Sequence, residues 1–128
     1  MKRRQFVQTL GAGSAVAGLG LLGGCASTGG NSAKVVVIGG GYAGATAAKY
    51  VRMFSDYSID VTLIEPTSAF VSCPISNLVL GGHKTMADIT TPYDNLSKRH
   101  GVKMVRDMVD SIDPVKRTVK LASGGELP

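Results

Sequence analysis

Residues 34–65 read KVVVIGGGYAGATAAKYVRMFSDYSIDVTLIE. Lys34-Val35-Val36-Val37-Ile38 is a short, continuous, β-branched apolar run, the pattern of a strand buried on both faces of a parallel sheet. It passes straight into Gly39-Gly40-Gly41-Tyr42-Ala43-Gly44, after which Ala45 to Phe54 predicts a helix with Ala47, Val51 and Phe54 near one face. Ile59 to Ile64 predicts a second strand, closed by Glu65. Strand, turn, helix and strand within about thirty residues make a βαβ crossover. The fold class is therefore α/β, a Rossmann-like unit on a parallel sheet.

Gly39, Gly41 and Gly44 fit G-x-G-x-x-G, and each glycine has a physical reason. The first allows a tight turn out of the strand, the second leaves room for a pyrophosphate, and the third lets the helix pack closely on the sheet. The pyrophosphate would lie at the helix N-terminus, against free amides and the positive end of the dipole. The glycines alone are a weak signal. They gain weight because they follow a strand, open a helix, and are followed by an acid, Glu65, 21 residues beyond Gly44. Glu65 is placed to accept from ribose hydroxyls, and its charge disfavours a 2′-phosphate. The fingerprint does not separate FAD from NAD.

Further along, Tyr93 to His100 predicts a short helix closed by Gly101. Val102 to Arg106 predicts a third strand. Met108 to Asp113 and Arg117 to Ala122 predict two strands of a β-meander. His83 and His100 have no second ligand at metal spacing and read as solvated loop histidines. No C-x-x-C-H occurs, so no c-type haem is expected on this chain.

The first 31 residues read as an address. Lys2-Arg3-Arg4-Gln5-Phe6 precedes a mildly apolar run, Leu10 to Leu22, and then the small residues of Gly23 to Ser27. The adjacent arginines resemble the twin-arginine export signal, which carries folded, cofactor-loaded proteins to the periplasm. Thirteen such residues are too short for a transmembrane helix. Leu22-Gly23-Gly24-Cys25 also looks like a lipobox, which would anchor the chain to lipid at Cys25; the alternative is a cut after Ala26 or Ala33. The domain reading is a signal over 1–31 and an N-terminal part of an FAD-binding domain over 32–128. An export signal favours FAD, because bound flavin travels inside a folded protein and NAD is scarce outside the cytoplasm. A dinucleotide motif at the start of the mature chain favours it as well.

Composition agrees with a folded protein: 128 residues, 44% hydrophobic and 18% charged. The net charge of +5 overstates how basic the folded part is. Three of fourteen basic residues are Lys2, Arg3 and Arg4, leaving eleven against nine acids, a net of +2. A nucleic-acid partner is not expected. Two cysteines, Cys25 and Cys73, do not make a disulfide framework.

Pro66 to Gly82, PTSAFVSCPISNLVLGG, together with Val61 to Glu65, resembles the flavoprotein subunit of flavocytochrome c sulfide dehydrogenase, in the sulfide:quinone oxidoreductase-like branch of the flavoproteins with two dinucleotide-binding domains. The resemblance covers about residues 34–128. It implies an FAD-dependent oxidoreductase that passes electrons from sulfide through flavin to a c-type cytochrome subunit. It assigns Gly39, Gly40, Gly41, Tyr42, Ala43 and Gly44 to the pyrophosphate, and Glu65 with Pro66 to the ribose side. Backbone near Val109 is assigned to the adenine, and Cys73 to a thioether on the flavin 8α-methyl. Without the resemblance, Cys73 reads as a buried free thiol acting as a small hydrophobe. The family continues into a further strand, a second dinucleotide domain and an interface domain, and its redox-active cysteine pair lies in those further parts. The chain is thus expected to be an N-terminal piece with an open sheet edge, inactive alone, and no catalytic residue is assigned to it. The alternatives are a sulfide:quinone or NADH:quinone oxidoreductase-like flavoprotein, or a non-catalytic nucleotide-binding module.

Overall fold

The computed structural model describes residues 32–128; the segment read as an export signal, with Cys25, lies outside the described residues. In chain order the elements are β1 (Lys34–Ile38), α1 (Tyr42–Phe54), β2 (Asp60–Ile64), β3 (Ala69–Val71), α2 (Asn77–Leu80), β4 (Thr90–Pro92), α3 (Asp94–His100), β5 (Lys103–Val105), β6 (Val109–Asp113), β7 (Thr118–Leu121) and β8 (Glu126–Leu127). β1 runs parallel to β2 in unbroken register, Lys34 opposite Asp60 and Ile38 opposite Ile64. β2 runs parallel to β5, with Leu63 opposite Met104, so the strand order is β1-β2-β5. This is the α/β fold with a parallel sheet expected from residues 34–65.

The central strand is the buried one. Val61, Leu63 and Ile64 of β2 are almost wholly inaccessible, and Val61 and Leu63 pack with Ala48 and Val102, flanked by Val35, Val37, Val51 and Leu96. Burying each of these branched side chains stabilises the fold by about 1.5–3 kcal/mol. β1, expected to be buried on both faces, is only half-buried and lies at the sheet edge among the described residues, with Ile38 47% exposed.

α1 begins at Tyr42, three residues before the predicted start, because Gly41 serves as its N-cap. The inward face carries Gly44, Ala48 and Val51, at i, i+4 and i+7, with Ala48 buried and the other two partly so. Ala47 is exposed, and Phe54 lies on the surface at 82% exposure against the Tyr50 ring. Arg52 closes the turn from α1 into β2. Its Nε donates to the His100 carbonyl at 3.1 Å, and its Nη1 donates to the carbonyls of Tyr57, at 2.9 Å, and Ile59. Asp56 and Tyr57 in that turn hold left-handed φ of 48° and 61°, a conformation costly outside glycine.

A two-stranded antiparallel ribbon, β3 with β4, was not predicted; it pairs Phe70 with Thr91 and encloses the segment that carries Cys73 and α2. Tyr93 follows Pro92 and caps α3, whose C-terminus ends on Gly101 at φ 63° as expected. β6 and β7 form the predicted meander, and Glu126–Leu127 adds a third strand, β8, beside β7.

Candidate functional site

The glycine turn leaves the C-terminal end of β1, beside the C-terminal end of β2, the crevice where open α/β sheets place ligands. The Gly39 amide donates to the Ile64 carbonyl at 2.9 Å and the Glu65 amide to the Val105 carbonyl at 2.9 Å, so the two segments are held side by side. Gly39 has φ 88°, which a side chain would resist. A Cβ on Gly44 would stand 1.8 Å from the Gly39 carbonyl oxygen. Both residues are glycine because the turn and the helix packing require it.

Gly41 is different. Its φ of −63° and ψ of −173° suit any residue, and a Cβ there would meet nothing within 4 Å. Protein packing gives no reason for glycine at this position. Beyond it, the amides of Tyr42, Ala43 and Gly44 form the first turn of α1, which has no acidic residue and no side-chain cap. Those amides have no intrahelical acceptor and carry the positive end of the helix dipole.

Glu65 stands next to the turn. Its Oε2 accepts from the Gly40 amide at 2.7 Å, and its Oε1 from the Thr67 amide at 3.0 Å and the Thr67 hydroxyl at 2.7 Å. Burial pushes this carboxyl up, but the hydrogen bonds from Thr67 and Gly40 outweigh burial and hold it below its ordinary value. A carboxylate has about four acceptor positions, so one is left for a ligand hydroxyl. Pro66 follows it, exposed.

Sequence reasoning missed Tyr93. Its buried hydroxyl donates to the Gly40 carbonyl at 2.9 Å, and its ring occupies the space a Gly40 Cβ would need, 2.6 Å from Cζ. Gly40 is therefore glycine because of a residue 53 positions away. Burial, then the nearby Glu65 charge, push the Tyr93 hydroxyl above its ordinary pKa, so it stays a donor at neutral pH.

A cleft of about 500 Å³ opens beside the turn, between Gly41, Tyr42, Phe70, Ser72, Ile89 and Tyr93. The Tyr42 ring stacks edge-on against Phe70, centroids 4.6 Å apart, and its hydroxyl is hydrogen-bonded to Ser72 Oγ. The residue after Ser72 is Cys73, which opens a short 3-10 turn over Cys73–Ile75. Cys73 is an exposed free thiol, with Sγ 3.9 Å from the Val71 carbonyl. It is not the buried hydrophobe that the residue alone would suggest. Of the residues singled out from the sequence, Gly40, Gly41 and Tyr42 line the cleft. Glu65 joins the turn through the Gly40 amide, and Cys73 follows Ser72, which lines the cleft. Val109 opens β6 in the meander.

The family of pyridine nucleotide-disulphide oxidoreductases matches residues 33–127. The chain belongs to that family. A sulfide dehydrogenase [flavocytochrome c] flavoprotein chain of Chlorobaculum thiosulfatiphilum is 61% identical over 46 residues, 36% of this chain and 94% of that sequence. The sulfide:quinone oxidoreductase of Aquifex aeolicus is similar in structure, with TM-score 0.64 and 31% identity over 74% of this chain and 22% of that one. Putidaredoxin reductase, solved in covalent complex with putidaredoxin, shares the fold alone: TM-score 0.59 and 19% identity over 74% of this chain and 23% of that one. The chain spans about a fifth of the length of these solved structures.

Proposed function

We propose that this chain is the FAD-binding N-terminal part of an exported sulfide dehydrogenase that hands electrons to a c-type cytochrome subunit. The observation that carries the nucleotide site is Gly41, the one glycine of the fingerprint whose absent side chain serves no packing or backbone need. Space at that position, backed by the unpaired amides of α1, is what a pyrophosphate requires. Glu65, kept ionised by Gly40 and Thr67, is the acceptor on the ribose side.

Bound flavin would supply a two-electron acceptor that can release electrons singly. The chain's own residues would bind and orient it: the first turn of α1 would take the phosphates, and Cys73, an exposed thiol next to Ser72 of the cleft, would bond the 8α carbon, with the S–H and one 8α C–H lost as protons and the electron pair taken up by the flavin ring. Support for the sulfide reading comes from the 61% identical stretch shared with a sulfide dehydrogenase flavoprotein chain. The paired Arg3 and Arg4 support export of the folded protein to the periplasm. A sulfide:quinone oxidoreductase is the second reading, favoured by the 31% identity to that enzyme's structure.

Acid precipitation of the complete protein tests the assignment of Cys73. Flavin should stay with the polypeptide, and the peptide spanning Cys73 should carry its mass. Cys73→Ser should still hold FAD but release all of it in acid. Freely dissociable flavin in the wild type would refute the assignment of Cys73.

A further inference from the structure

The Gly40 peptide groups are gripped from both sides: Glu65 Oε2 takes the Gly40 N–H at 2.7 Å and Tyr93 Oη donates to the Gly40 C=O at 2.9 Å. That carbonyl belongs to the peptide plane joining Gly40 to Gly41. In a trans peptide the C=O and the following N–H point in opposite directions, and no cis bond occurs among the described residues. Fixing the Gly40 oxygen on Tyr93 therefore fixes the Gly41 N–H to point away from Tyr93. Gly41 is the residue whose Cβ direction is open.

We infer that Tyr93 is a positioning residue for the dinucleotide: its hydroxyl locks the Gly40–Gly41 peptide so that the Gly41 amide is presented as a donor to the pyrophosphate. The inference rests on the proposal that the turn binds FAD. Two features suit Tyr93 to this role. It is buried at 7% exposure between the turn and α3, so the hydroxyl has little freedom. Burial, then the nearby Glu65 charge, push its pKa up, so it keeps the proton that it donates to the carbonyl. Without the hydroxyl, the peptide is free to rotate, and flexible glycines on both sides offer little resistance.

The test uses the complete protein in a Cys73→Ser background, stripped of FAD, titrated with FAD and followed by flavin fluorescence and by the ³¹P resonances of the bound pyrophosphate. Tyr93→Phe keeps the ring against Gly40 and removes only the hydroxyl. It should bind FAD about tenfold more weakly, the loss of one hydrogen bond to a charged group, and the bound ³¹P resonances should move. Equal affinity with unmoved resonances would overturn the inference. A second measurement does not depend on the Tyr93 variant folding: in the same background with Tyr93 intact the Gly41 amide proton should move downfield on FAD addition, and an unmoved Gly41 amide would also overturn it. Protein with Tyr93 intact that takes up no FAD would instead refute the nucleotide reading on which the inference stands.

Discussion

Tyr42 and Ser72 are hydrogen-bonded hydroxyl to hydroxyl, so the first residue of the helix after the glycine turn holds the residue just before Cys73. Ser72 is buried at 8% exposure, and its amide also bonds the Ile89 carbonyl at 2.9 Å. Tyr42→Phe keeps the edge-on contact with Phe70 but leaves the Ser72 hydroxyl without this partner, and should cost about 1 kcal/mol in urea unfolding. Ser72→Ala placed on top of Tyr42→Phe should cost little more. Fully additive losses would show that the two hydroxyls are not coupled.

Glu65 sets a pH dependence. Its folded pKa is depressed from about 4.5, so its contribution is fully present above that value and is lost as pH falls through the folded pKa. Between about pH 6 and pH 3, the urea midpoint of the wild type should fall more steeply than that of Glu65→Gln, which has no charge to lose. Parallel curves would contradict the hydrogen-bonded carboxylate.

Much of this was legible because it is local. The parallel βαβ unit, the meander and the Gly101 cap follow from periodicity and glycine position within a few residues. Gly39 and Gly44 behave as their spacing implies. The reason for Gly40 was not legible, since it lies in Tyr93, brought up by the β3–β4 ribbon. The ribbon itself was hidden because each strand has only three residues, too few to show alternation. Ala47 and Phe54 do not face the core as their spacing suggests, because Gly44 packs against the Gly39 carbonyl and Val37 and so turns the face that carries Ala48 inward. Nothing in local sequence showed that Arg52 would close the turn before β2.

Arg52 is 12% exposed and serves three carbonyls, with Asp60 3.9 Å away. Arg52→Met should lower unfolding free energy by about 1–3 kcal/mol, because the carbonyls of His100, Tyr57 and Ile59, two of them partly buried, lose a charged donor. Arg52→Lys should recover little, since an ammonium cannot reproduce the planar fork. Full recovery with Lys, measured by urea unfolding, would show that charge alone matters.

Export can be read with residues 1–33 fused to a reporter that works only after transport in the folded state. Replacing Arg3 and Arg4 together by Lys should abolish the signal. Continued export would refute the twin-arginine reading.

Flavin content of Gly41→Val beside Gly44→Ala tests the nucleotide site most directly, because the two changes fail for different reasons. Gly44→Ala drives a Cβ into the Gly39 carbonyl and should cost well over about 2 kcal/mol of stability. Gly41→Val meets open space, so the complete protein should purify without flavin yet unfold at the denaturant midpoint of the Cys73→Ser protein stripped of its FAD. A folded Gly41→Val protein carrying wild-type flavin would contradict the account.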